Sequence, residues 1–181
     1  MPKTDLELGH ELKQGNDAAY KEVVERFSRP VFSICIKLLR DPIAAQDASQ
    51  DVFVRMFRGI DTFDANRPLS SWLFRITYNR CMDYLKMKGR NIEIAVEDLE
   101  VADDSTPLEE SENTRLAELM WKSLDDLPEQ YRMILLFKYR FNLKNAEISE
   151  IMSITENNLR VKVFRAKRQL RETVTRKLSQ E

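Results

Sequence analysis

The sequence predicts an all-α protein: two small helical domains joined by an acidic flexible linker, the C-terminal domain containing a helix-turn-helix. Three observations carry this. Only four Gly and six Pro stand among 181 residues, too few for turn-rich β structure. Apolar residues recur at helical spacing on both sides of a central gap. The charge is segregated: 29 basic and 30 acidic side chains cancel overall, yet residues 91–113 carry nine acids and no base. Arg160 to Lys177, by contrast, holds eight Lys or Arg and one acid, Glu172. A neutral total therefore conceals a basic end suited to a polyanion.

In residues 1–90, "DAAYKEVVERFSRPVFSICIKLLR" places Tyr20, Val23, Val24 and Phe27, then Phe32, Cys35, Ile36 and Leu39, at helical spacing, with Pro30 predicting a break or kink between them. "DPIAAQDASQDVFVRMF" opens with Asp41 as N-cap and Pro42 at the first helical position. "FDANRPLSS" reads as a loop whose Ser70 or Ser71 caps the next helix, "WLFRITYNRCMDYLKMK". Residues 91–113 lack apolar periodicity and read as the linker. Brief proteolysis of the free protein is expected to cut within them and leave two folded fragments, visible by electrophoresis; protection there would refute the linker.

In residues 114–181, Asp126-Leu-Pro-Glu129 suggests a capped helix start, followed by the apolar "QYRMILLFKY". "NAEISEIM", "SIT" and "ENNLRVKVFRAKRQLRETVTRKL" then read as helix, turn, helix, with Asn145 and Thr155 as N-caps. Ser153 occupies a turn position where Gly is usual. Leu159, Val163, Ala166 and Leu170 face inward, which sends Arg160, Lys162, Arg165, Lys167 and Arg168 outward or sideways. A helix of this length runs about 35 Å, and its first turns suit a major groove.

Several function classes are excluded by composition. "MPKTDLELGH" has no apolar run, so no signal peptide is expected, and no stretch reaches the roughly 20 apolar residues of a membrane span. Cys35 and Cys81 are too few for a disulfide scaffold or zinc site and read as structural thiols; His10 is the sole His. No Gly-rich phosphate loop, metal cluster or acid/base constellation stands out, so no cofactor and no catalytic activity are expected in this reduced, cytoplasmic protein.

Two further stripes carry chemistry. Asp47, Gln50 and Asp51 share one helix face opposite Ala45, Ala48, Val52 and Met56, either a solvated face or a polar docking face. Leu73, Ile76, Thr77, Cys81 and Tyr84 make an inward stripe, leaving Arg75, Tyr78, Asn79, Met82 and Lys86 outward. Rings, an amide and cations interleaved on an exposed face suit unpaired bases.

With these residues in place, the chain resembles an RNA polymerase sigma factor of the small extracytoplasmic function (ECF) class. The resemblance covers about residues 17–90 and 115–172 and rests on "QDASQDVFVRMFRGIDTFDANRPLSSWLFRITYNRCMDYLK" and "LPEQYRMILLFKYRFNLKNAEISEIMSITENNLRVKVFRAKRQLR". It implies sigma region 2 in residues 1–90, for core polymerase binding and −10 recognition and melting, and sigma region 4 in residues 114–181, for −35 recognition. Asp47, Gln50 and Asp51 match the contact with the β′ clamp. The loop Phe63–Ser71, with Asn66, Arg67 and Ser70, and the helix through Trp72, Arg75, Tyr78 and Asn79 match the part that captures a flipped −10 base. Asn157, Asn158, Arg160, Lys162, Phe164 and Arg165 match the −35 recognition helix. The implied partners are core RNA polymerase through its β′ clamp and β flap, promoter DNA and an anti-sigma protein, with no membrane insertion. "ENN" replaces the family's usual small residues after the turn, and Val161 stands where a Ser separates two key cations; both bear on which −35 sequence is read.

The energetics agree. Melting breaks stacking worth about 1.4 kcal/mol per step, which a chain without a nucleotide site must offset by binding. The acidic linker suits a nucleic-acid mimic in the RNA exit path, a brake on DNA binding by the free protein, or a soluble tether. The alternative to a sigma factor is a helix-turn-helix regulator with an unrelated sensing domain, which need not bind core polymerase without DNA.

Overall fold

The computed structural model describes residues 3–89 and 114–179. The chain divides into two units, Met1–Ile92 and Glu93–Glu181. Every regular element among the described residues is helical. The acidic segment expected to be a flexible linker lies outside them. No helix among the described residues is long and apolar enough to cross a membrane.

The first unit contains α1 (Asp5–Lys13), α2 (Asp17–Leu39), α3 (Pro42–Arg58) and α4 (Leu69–Met87). The long helices α2, α3 and α4 pack on one another, and α1 lies against α2 and α4. Caps read from the sequence hold at α3, where the Asp41 carboxylate accepts from the N–H groups of Ile43 (2.9 Å) and Ala44 (3.2 Å). The chain turns there through Arg40 at φ 55°, a left-handed residue ending α2.

Pro30 does not break α2, which runs through it. A continuous helix carries the Val23–Phe27 stripe on to Val31, Ile34 and Leu38, all buried, and leaves Phe32 exposed. The expected restart at Phe32 is thus off by one residue. Burial of Phe27, Val31 and Ile34 on both sides of the proline offsets the roughly 3 kcal/mol that an interior Pro costs. Cys35 and Cys81 are buried free thiols, and their mutual hydrogen bond, with burial, pushes the Cys81 thiol up.

Neither Ser70 nor Ser71 caps α4: its N-cap is Pro68, which makes no side-chain cap. The cap comes from α1 instead. The Asp5 Oδ2 accepts from the backbone N–H (3.1 Å) and hydroxyl (2.8 Å) of Ser70.

The second unit contains α5 (Thr114–Ser123), α6 (Glu129–Leu135) continued by a π-helical turn (Leu136–Arg140), α7 (Asn145–Met152) and α8 (Glu156–Leu178). Its core joins Leu124, Leu127 and Leu135 to Ala166, Leu170 and Val174 of α8. Asp126 does not cap α6; its carboxylate pairs with Lys177 Nζ at 2.7 Å, tying the turn before α6 to the end of α8. Nor does Asn145 cap α7. Lys138 Nζ donates to its side-chain oxygen (2.7 Å), and the N-cap position falls to Lys144, whose N–H donates to Glu147 (2.8 Å). Thr155 caps α8 as expected, accepting from the Asn158 N–H at 3.2 Å. Ser153 turns the chain between α7 and α8 at φ 55°, ψ 44°. A left-handed residue other than Gly costs about 1–2 kcal/mol, which the buried Ile148, Ile151, Met152 and Leu159 around it offset.

Candidate nucleic-acid and protein interfaces

On α3, Ala45, Ala48, Val52 and Met56 are buried, which leaves Asp47 and Gln50 exposed on the opposite side. Asp51 is different. Its carboxylate is half-buried and accepts from Arg55 Nε at 2.9 Å and from Arg80 Nε of α4. Burial alone would raise its pKa, but the hydrogen bonds and charges of Arg80 and Arg55 outweigh that and hold the carboxyl below its usual range. Asp51 therefore braces α3 against α4.

Sequence reasoning overlooked three neighbours. Ile43 (75% exposed), Val54 (44%) and Phe57 (63%) continue the stripe of Asp47 and Gln50 at spacings of four, three, four and three. That is the alternation of a coiled-coil seam. The Phe57 ring also meets Tyr20 of α2 edge-on, 5.4 Å between centroids. The spacing was visible in the sequence; the exposure of three large apolar side chains was not.

The second candidate surface is the loop before α4 and the outer face of α4. Phe63 is buried and lies 4.9 Å from the half-buried Trp72 ring, tilted by 40°. Asp64 folds the loop tip, its Oδ1 accepting from the Asn66 N–H (3.0 Å) and Nδ2 (3.1 Å), while the Arg67 N–H donates to the Asp64 carbonyl (3.0 Å). The Asn66 backbone bond, then its amide, hold the Asp64 carboxyl below the usual range. Asn66 and Arg67 are left exposed at the tip.

Along α4, Asn79 is exposed and Arg75 half-buried, on one side with Trp72. Tyr78 corrects the expectation: it is 4% exposed, and burial, then the Cys81 sulfur, push its hydroxyl up to about 12. Met82 is buried too. Because α4 packs against α1, α2 and α3, its inward arc is wider than a single stripe and takes in Tyr78 and Met82 beside Leu73, Thr77 and Cys81. The phenol is thus removed from the base-facing set.

On α8, Asn157 and Arg160 are exposed, Phe164 is 38% exposed, and Arg165 is half-buried. Asn158 (5%) and Lys162 (2%) are buried, against the expectation that both face DNA. Helix α8 packs against α5, α6 and α7, so its inward arc takes in Asn158, Val161 and Lys162 beside Leu159, Val163 and Ala166. Lys167 Nζ lies 5.8 Å from the Tyr139 ring centroid, a cation–π contact within the unit. What remains outward is a strip of Asn157, Arg160, Phe164 and Arg168. Cations there suit phosphates and guanine edges, and an aromatic between them suits a thymine methyl.

Both units match known protein families. Residues 23–91 match the family description "Sigma-70 region 2", and residues 117–170 match "Sigma-70, region 4". The chain is 28% identical over 171 residues to the ECF RNA polymerase sigma factor SigW of Bacillus subtilis (strain 168), covering 89% of this chain and 91% of that protein. It is 26% identical over 174 residues to the ECF RNA polymerase sigma-E factor of Escherichia coli (strain K12), covering 91% of each. Among solved structures, CnrH in complex with the cytosolic domain of CnrY is similar with a TM-score of 0.67 at 18% identity, covering 96% of this chain and 98% of that one. The sigma factor RpoE of Bartonella quintana, solved with the anti-sigma factor NepR, gives 0.63 at 18% identity, covering 86% and 96%. These last two show the fold.

Proposed function

The chain belongs to the sigma-70 family, in its ECF class, and from that premise we propose that it binds core RNA polymerase and directs promoter-specific initiation, reading the −35 element and melting the −10 element. The observation that carries this is the occurrence of a region 2 and a region 4 match in one chain, in that order. It disfavours a helix-turn-helix regulator with an unrelated sensing domain in front. Run-off transcription from a promoter library with core polymerase, plus and minus this protein, is the test: no added transcript in its presence refutes the reading.

We assign residues 1–90 to core binding and −10 capture, 91–113 to the linker and 114–181 to −35 recognition. The α3 stripe docks on the β′ clamp, with Ile43, Val54 and Phe57 supplying apolar anchors on either side of the polar Asp47 and Gln50, as a seam against a partner helix requires. Asn66, Arg67, Trp72, Arg75 and Asn79 take an unstacked −10 base; Ser70 orients the loop. Asn157, Arg160, Phe164 and Arg168 face the −35 duplex, with the half-buried Arg165 flanking them. The protein acts without catalysis of its own, in the cytoplasm. An anti-sigma protein is a proposed partner, since the two solved neighbours are complexes of that kind or with another protein's cytosolic domain.

The docking face gives a direct test. Asp47→Ala with Gln50→Ala is expected to weaken core binding by about tenfold, the share of one or two polar contacts, without lowering the melting temperature, because both side chains are exposed. Asp51→Lys is a poorer probe, since it sets a cation beside Arg80 and Arg55 and loosens the α3–α4 contact. Interferometry with immobilised core polymerase reads the affinity; unchanged binding of the double variant removes the docking assignment.

A further inference from the structure

Helix α1 lies outside the region 2 match, which begins at residue 23. It nevertheless touches the −10 loop at both ends. Lys13 Nζ donates to the Phe63 carbonyl where the loop begins. Asp5 Oδ2 accepts both bonds from Ser70 where it ends. Between them Gly9 faces the Phe63 ring so closely that a Cβ there would meet Cε1 at 2.9 Å and Cζ at 3.0 Å. Phe63 in turn backs the Trp72 indole.

We propose that α1 is a positioning strut that presets the −10 loop for base capture. The argument is geometric. Asp5 and Lys13 stand eight residues apart on one helix, a fixed span of about 12 Å. Anchoring both ends of a loop to one rigid element removes loop freedom before a base arrives, so less ordering entropy is lost on capture. The strut is itself fixed. Thr4 and Glu7 form a capping box at its start (3.3 and 2.8 Å), and Lys3 pairs with Glu11 (2.7 Å) and with Glu22 of α2 (3.3 Å). Asp5 also keeps Oδ1 buried without a hydrogen-bond partner. That lowers the stability return of the contact and fits a carboxylate held for position.

This inference rests on the proposed base-capture role of the loop, and the experiment keeps the two apart. Holoenzyme carrying Asp5→Asn with Lys13→Met, or separately Gly9→Ala, is titrated with a single-stranded −10 oligonucleotide, and 2-aminopurine in the −10 element reports opening. Capture is expected to weaken by about tenfold, with slower opening, while core affinity stays at its wild-type value; Gly9→Ala also lowers the melting temperature, because its Cβ crowds the buried Phe63 ring. Gly9→Ala keeps both hydrogen bonds and acts through the Phe63 ring alone. Wild-type capture by all the α1 variants, or a parallel loss of core affinity, overturns the strut. Trp72→Ala is run beside them. If it weakens capture and the α1 variants do not, the strut alone falls; if it too captures normally, the base-capture reading falls and the strut with it.

Discussion

Arg132→Met is expected to unfold the C-terminal domain at temperatures where the wild type is folded. The Arg132 side chain is fully buried. Its Nε donates to the Leu124 carbonyl at 3.1 Å, and its Nη2 to those of Leu127 at 2.8 Å and Asp125 at 3.4 Å. These carbonyls belong to the turn between α5 and α6, which has no side-chain cap of its own. Arg132 thus fastens the turn from inside. Methionine fills similar volume but donates to none of these carbonyls, leaving that of Leu124 the backbone N–H of Leu127, and each bond to a charged group contributes about 1.5–3 kcal/mol. A total loss of about 3–5 kcal/mol compares with the roughly 3–5 kcal/mol that a single core of this size supplies. Arg132→Lys retains the charge without the planar fork and should fall between the two. Thermal unfolding followed by circular dichroism decides it; a variant melting within a few degrees of wild type would show that the turn holds without the guanidinium.

Arg160→Ala is expected to relax −35 specificity at one base pair and to cost about 1–3 kcal/mol on the preferred sequence, roughly 5- to 150-fold in affinity. Arg160 is exposed near the N-terminal end of α8, the end that enters a major groove in this motif. A guanidinium there suits the O6 and N7 of a guanine. Arg165 lies five residues on, about 140° around the helix, and takes a different task. Arg168 shares the outer strip but lies two turns further along, where phosphates are nearer; it also pairs with Glu172 at 3.7 Å. Arg168→Ala should weaken all sequences alike and lower the salt slope by about one. Lys167 is engaged over the Tyr139 ring, which makes Arg168 the cleaner probe. Holoenzyme binding to a panel of −35 variants at several salt concentrations separates the two roles. Equal loss on every variant for Arg160→Ala makes that residue a phosphate clamp only.

Sequence alone determined the helical class, the helix-turn-helix, the caps at Asp41 and Thr155 and the buried stripe of α8, because these depend on periodicity and on neighbours within four residues. It also placed Asp47, Gln50, Asn79 and Arg160 on exposed faces, since each lies opposite an apolar stripe. What it misassigned depends on how many partners surround a helix. Periodicity gives the direction of the inward face but not its width. Where α4 and α8 each meet three helices, Tyr78, Asn158 and Lys162 turn inward. The same limit hid the continuity of α2 through Pro30, which packing on both sides of the proline sustains. Long-range bonds were out of reach for a simpler reason. Asp5 meets Ser70 across 65 residues, Asp51 meets Arg80 across 29, and Lys13 meets Phe63 across 50. No local rule links such pairs. Only the packed helices bring them together, and with them come the strut under the −10 loop and the brace behind the docking face.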